Sequence, residues 1–184
     1  MRRDVVWQRL DRPGLEHLAL EARPDFVRAE SFLLLQLDQG LAQLRYAIEA
    51  DGAWRTQRAD LVLTIGTVEH RLDLRRDSQD NWTANGAARP DLQHCFEIDL
   101  AATPFTNTPA LRRLDLVEGE PKRMMAAYIT VPELQVRVDE QEYTLLNPDR
   151  FRYRGLSTNF EAEVTMDADG LVVDYPPGWK RRSV

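Results

Sequence analysis

Apolar and polar side chains alternate with a period of two along much of this chain, and nothing else constrains its fold as strongly. Phe160, Ala162, Val164 and Met166 alternate with Asn159, Glu161, Glu163 and Thr165. Leu61, Leu63 and Ile65 share one parity, as do Leu72 and Leu74, and Val136 and Val138. Successive side chains of a strand point to opposite faces, so this period predicts half-buried strands of an antiparallel sheet. Turn signals separate the runs: Asp38-Gln39-Gly40, Asp51-Gly52, Asp80-Asn81, Asn85-Gly86, Glu118-Gly119-Glu120-Pro121, Asn147-Pro148-Asp149 and Asp169-Gly170. Asn-Gly and Asp-Gly pairs supply the positive φ angles of tight hairpins. The expectation is a mainly β protein, with one long, strongly curved antiparallel sheet, half-barrel or barrel-like.

Two segments need a decision. Glu30 to Leu44 has helical propensity, but Asp38-Gln39-Gly40 interrupts it, and the pattern runs on through Arg45 to Ala50. It reads as two strands. A short helix is placed after Phe105. Thr106-Asn107-Thr108 offers capping side chains, Pro109 falls in the first turn, and Ala110, Leu111 and Leu114 form one apolar face. A curved sheet needs its concave side filled, and this single helix can help fill it.

The length of 184 residues fits one domain, 1–184, with no internal repeat or linker. Such a chain buries about 70% of its unfolded surface and needs neither disulfides nor a structural metal. With 24 basic against 30 acidic residues, the net charge of −6 argues against nucleic acid and anionic lipid surfaces as partners. Met1 to Arg9 lacks the apolar region of a signal peptide. The run Phe32-Leu33-Leu34-Leu35 is far too short to span a bilayer. The expectation is a cytoplasmic protein without stable membrane insertion.

Histidines 17, 70 and 94 are dispersed, so no metal is expected. Cys95 reads as a small buried hydrophobe. No nucleotide-binding loop or hydrolase elbow is present, and no cofactor is implied. The carboxylates are more informative. In Cys95-Phe96-Glu97-Ile98-Asp99-Leu100, Glu97 and Asp99 share one strand face, about 6–7 Å apart. They lead into Thr103-Pro104-Phe105-Thr106-Asn107-Thr108-Pro109 and then Arg112-Arg113. Acceptors, donors and cations therefore gather at one strand-to-helix junction. Trp7, Trp54, Trp82 and Trp179 serve either packing or stacking on a sugar ring.

In this arrangement the chain resembles the putative glycolipid-binding family. The resemblance runs through Trp7, Gly14-Leu15-Glu16, Tyr46-Ala47-Ile48-Glu49-Ala50-Asp51-Gly52-Ala53-Trp54-Arg55-Thr56, Trp82 with Gly86, Cys95 to Leu100, Thr103 to Leu114, and Tyr128. It continues in Val131-Pro132-Glu133-Leu134, Gln141-Glu142-Tyr143 and Asp169 to Pro176. Thr108 and Ala110 depart from the leucine and isoleucine that such a stretch carries around its proline. The resemblance implies a long antiparallel sheet around one helix, a homodimer, and remote similarity to the bacterial lipoprotein localisation factors, whose half-open barrels hold acyl chains. It also implies an acidic ligand pocket and a role in glycolipid or cell-envelope metabolism. Carried onto this chain, Glu16, Asp51, Glu97 and Asp99 become candidate pocket acids. Thr106, Asn107, Arg112 and Arg113 become polar contacts, and Trp54 and Tyr143 ring-stacking partners.

Three functions compete. The first is a binding module for a glycolipid or related sugar-bearing amphiphile, its acyl chains on the apolar concave face and its hydroxyls on the carboxylates. The second is a glycoside hydrolase with Glu97 and Asp99 as acid and base, provided both face one cleft. The third is a ligand-free dimeric scaffold joined through strand edges. Binding is preferred over catalysis, because paired acids on a strand are common and mostly structural.

Overall fold

A computed structural model describes residues 1–183. Six long strands come first: β1 (Arg2–Arg9), β2 (Gly14–Ala22), β3 (Phe26–Leu37), β4 (Gly40–Asp51), β5 (Thr56–Ile65) and β6 (Val68–Arg76). Two short ones follow, β7 (Trp82–Ala84) and β8 (Ala87–Ala88). Then come β9 (Cys95–Leu100) and helix α1 (Asn107–Arg113). The chain ends with β10 (Pro121–Ile129), β11 (Val136–Asn147), β12 (Arg150–Gly155), β13 (Phe160–Met166), β14 (Val172–Tyr175) and β15 (Trp179–Arg182). The segment Glu30 to Leu44 is two strands, as its turn signal requires. Asn85 and Gly86, with φ of 48° and 80°, turn β7 into β8.

All fifteen strands form one curved, unclosed sheet in the order β8-β7-β6-β5-β4-β3-β2-β1-β15-β14-β13-β12-β11-β10-β9. The last strand returns against the first, with Trp7 opposite Arg181, and so splices the two halves together. The sheet is antiparallel apart from one pair: β9 runs parallel to β10. A parallel pair cannot close through a hairpin and needs a crossover, and α1 lies in that crossover.

The helix sits within the curve of the sheet, and its contacts come from elements far apart in sheet order. Thr108 Oγ1 donates to Gly170 O between β13 and β14 at 2.9 Å. Tyr143 on β11 donates to Asn107. The Arg112 guanidinium lies over Trp54, between β4 and β5. Asn107, Thr108, Pro109 and Ala110 are consequently buried. The expected cap is not made. Thr106 precedes the helix but bonds to β9 instead, accepting from Leu100 N at 3.2 Å and donating to Asp99 at 3.0 Å.

The concave face carries the core. Leu18, Leu33, Leu44, Leu61, Leu63 and Leu74 are almost wholly excluded from water. A second cluster, around Tyr143, Phe151, Tyr153 and Val164, fills the side formed by β10 to β14. Trp7 is fully buried, and its Nε1 donates to Val172 O at 2.9 Å, fastening β1 to β14. Trp7→Phe removes this buried hydrogen bond, leaving the carbonyl to Arg181 alone, and removes ring volume. A loss of about 2 kcal/mol is expected in urea unfolding; a loss under about 0.5 kcal/mol would contradict this role.

One strand departs from its pattern. Parity placed Val136 and Val138 on the inner face of β11, yet Val138 is exposed and Asp139, Gln141 and Tyr143 point inward. The inner face of β11 is polar because it builds the floor of a cavity.

Candidate functional site

A cavity of about 420 Å³ opens where β9, α1, β11 and the two chain ends meet. Asp99, Asp139, Thr103 and Asn107 are among its polar lining, and Tyr128, Tyr153, Phe160, Tyr175 and Trp179 supply aromatic walls. Arg9 and Asp11 also line it, joined as an ion pair at 2.7 and 3.0 Å. The volume falls within the range of small-molecule sites, and a mostly aromatic wall with a few converging polar groups is their usual make-up.

The polar groups form one connected network. Gln141 Nε2 donates to Asp99 Oδ2 at 2.6 Å and to Asp139 Oδ2 at 3.3 Å, so one amide bridges both acids. Thr106 donates to Asp99 Oδ1 and Tyr153 to Asp99 Oδ2. Ser157 donates to Asp139 Oδ1. Tyr143 donates to Asn107 Oδ1 at 3.2 Å, with Gln141 Oε1 as the alternative acceptor at 3.4 Å. Burial pushes the Asp99 carboxyl up, the hydrogen bonds from Gln141 and Thr106 oppose this, and the nearby charge of Asp139 adds to it.

Behind Thr103 lies Glu16, with no exposure to solvent. Its Oε1 accepts from Tyr46, Thr103 and Ser31 at 2.6, 2.8 and 2.9 Å. Among the described residues its Oε2 has no hydrogen-bond partner. Desolvation therefore pushes this carboxyl up to about 7, against the three hydrogen bonds.

The ten residues nominated from sequence divide into three groups. Asp99 and Asn107 line the cavity, Thr106 and Tyr143 hold them from beneath, and Glu16 touches the lining through Thr103. Glu97 and Arg113 form a separate ion pair beside the cavity, with Arg113 Nη2 3.2 Å from Glu97 Oε2 and Nε also bonded. Asp51, Trp54 and Arg112 gather elsewhere. Asp51 accepts from Ala53 N and Arg55 N at 3.0 Å and pairs with the Arg55 side chain, which makes it the holder of its own turn. Arg112 stacks on Trp54 at 5.4 Å. Glu97 and Asp99 share a strand face, but Glu97 is absent from the cavity lining, so they do not face a common cleft.

A family model described as putative glycolipid-binding matches residues 4–181. The chain belongs to this family. A crystal structure of a DUF1089 family protein from Pseudomonas aeruginosa is similar to it, with 34% identity, a TM-score of 0.82 and coverage of 92% of each chain. No curated protein matches the chain.

Within this member of the glycolipid-binding family, several lining residues escape a reading by parity and motif. Asp139, Tyr153 and Phe160 stand in ordinary-looking strands, and Thr158, Pro177 and Gly178 in turns, while Gln141 supports the lining acids from β11. The available signal was the run Asp139, Gln141, Tyr143, three polar-tipped residues of one parity in a strand that should hide its inner face. Cys95 is buried, and its thiol is pushed up to about 12 by burial, which keeps it protonated and unreactive. Among the described residues no helix is long and apolar enough to cross a membrane.

Proposed function

We propose that this protein binds a glycolipid or related sugar-bearing amphiphile by its head group, in the cavity over Asp99 and Asp139. The observation that carries this reading is the pairing of a polar floor with aromatic walls in one cavity of head-group size. Carboxylates accept charge-assisted hydrogen bonds from sugar hydroxyls, and aromatic faces pack on the apolar face of a pyranose ring. The family description points the same way. The acyl chains have a different place from that expected of a half-open barrel. The concave leucines are packed against one another, so the chains leave the cavity past its exposed rim, where Phe160 is 41% accessible.

Within this reading the protein is a cytoplasmic dimer. Leu15 and Leu34 are register partners across β2 and β3 and are both half exposed, which suits a face covered by a second copy. Light scattering tests the dimer. Catalysis by Glu97 and Asp99 is disfavoured, because Arg113 holds Glu97 outside the cavity.

Native mass spectrometry of gently purified protein should show a bound amphiphile. Phe160→Ala trims the rim and gives up the ring's contacts with Tyr153 and Tyr175. It should weaken octyl glycoside binding about 3- to 10-fold in calorimetry, the value of one stacking contact. Unchanged affinity would place the ligand elsewhere.

A further inference from the structure

Two acids stand in this cavity with no cation to balance them. Gln141 bridges Asp99 and Asp139, and the remaining bonds to both come from hydroxyls. Among the described residues neither acid has an arginine, lysine or histidine within ion-pair distance. The cation in the lining, Arg9, already gives Nε and Nη2 to the two oxygens of Asp11. Arg137 lies over the Tyr128 ring, 5.0 Å from its centroid, outside ion-pair reach of either acid. The cavity therefore holds two carboxyl groups with no protein cation beside either among the described residues. Asp139 is 2% exposed. Buried charges without partners are costly, and a cation delivered by the ligand offsets that cost.

The surroundings define the kind of cation. Tyr128, Tyr153 and Tyr175 line the cavity together with Asp99, and Tyr143 packs edge-on against Tyr153. Tyr143 and Tyr153 use their hydroxyls within the network. Tyr128 and Tyr175 line the cavity, and among the described residues their hydroxyls have no protein partner. Calcium and magnesium need six or more hard oxygen ligands, and among the described residues no group of three or more Asp, Glu, His or Cys side chains is placed to hold a metal ion. An ammonium group needs only three acceptors and gains from aromatic faces as well.

We propose that the head group taken by this cavity carries a protonated primary amine, as in an amino sugar or an alkylammonium group, seated between Asp99 and Asp139. This rests on the reading that the cavity binds head groups, and it names their chemical class. A neutral sugar would leave both carboxylates uncompensated, whereas an amine pairs with both and leaves the Tyr128 and Tyr175 hydroxyls for the ring oxygens.

The test is calorimetry at neutral pH with four probes: octyl glucoside, octyl glucosaminide, octyl N-acetylglucosaminide and octylammonium. The glucosaminide should bind at least tenfold tighter than either neutral glycoside. Asp139→Asn should bring that ratio to about one, while Asp38→Asn, whose carboxylate is 89% exposed, should preserve it. The N-acetyl comparison is made on the unaltered protein, so it decides even where Asp139→Asn fails to fold. Equal affinities for the three glycosides overturn the amine proposal and leave the sugar reading intact. Equal binding of octylammonium and glucosaminide, with both neutral glycosides unbound, upholds the amine and overturns the sugar reading. Binding of none overturns both.

Discussion

Arg113→Met should destabilise the protein by about 3 kcal/mol, although Arg113 touches no cavity wall. Its guanidinium grips Glu97 with two nitrogens, and Glu97 is 1% exposed. Removing one partner of a buried pair strands the other charge, at about 3–5 kcal/mol. The partial exposure of Arg113 puts the expected loss at the lower end. Arg76 and Arg113 both lie over the Phe96 ring, at 5.5 and 5.3 Å, so some packing is lost as well. The double variant Glu97→Gln with Arg113→Met should recover most of the loss, because the stranded Glu97 charge is gone and Arg76 keeps its ion pair with Asp80. Burial already raises the Glu97 carboxyl against the pull of Arg113, and without Arg113 it rises further. A raised folded-state value means stability regained as pH falls, so the defect should shrink in mild acid. Urea unfolding at neutral and mildly acid pH reads both effects. A loss below about 0.5 kcal/mol, or a double variant no better than the single, would contradict this structural role for Glu97.

A second large effect comes from Glu16. Its carboxyl is raised from 4.5 to about 7 in the folded protein, chiefly by desolvation. Below the unfolded value both states hold the proton, and Glu16 adds no pH dependence. Between the two values the folded state keeps a proton that the unfolded state releases, so stability falls as pH rises. The fall is complete above about pH 7 and amounts to about 3 kcal/mol. Other carboxylates, such as Asp167 beneath Arg181, are lowered despite their burial and act with the opposite sign in acid. The comparison therefore runs between wild type and Glu16→Gln. Relative to wild type, the variant should gain about 3 kcal/mol between pH 4.5 and pH 8. Parallel stability curves would show that Glu16 is not the buried acid described here.

Most of the sheet was legible because alternation and turn chemistry are local. Asn85-Gly86 and Asp38-Gln39-Gly40 carry their conformations in their own residues, and Leu61 and Leu63 show their face by parity alone. The Gly66 turn between β5 and β6 was missed, since its positive φ of 60° comes without an Asn or Asp before it. The parallel β9–β10 pair was missed as well, because strand direction depends on the crossover and not on composition. The site was read less completely than the fold. Asp99 and Asn107 stood in a recognisable junction. Asp139 and Gln141 did not, because parity reasoning hides apolar residues and β11 hides polar ones. Local rules give way where a buried face lines a cavity instead of the core. Glu97 was nominated by its strand position and Asp51 through the family resemblance, and each is paired with an arginine, Arg113 and Arg55.

The central claim is that the cavity over Asp99 and Asp139 is where a head group binds. Nuclear magnetic resonance of the labelled protein, titrated with octyl glucoside and octyl glucosaminide, tests it most directly. The amide signals of Ala101, Thr103, Asn107, Asp139, Thr158 and Gly178, and the indole signal of Trp179, should shift together and saturate, while those of the Asp51–Arg55 turn stay still. Saturable shifts centred on Trp54 and Arg112, with the cavity residues unmoved, would contradict the account.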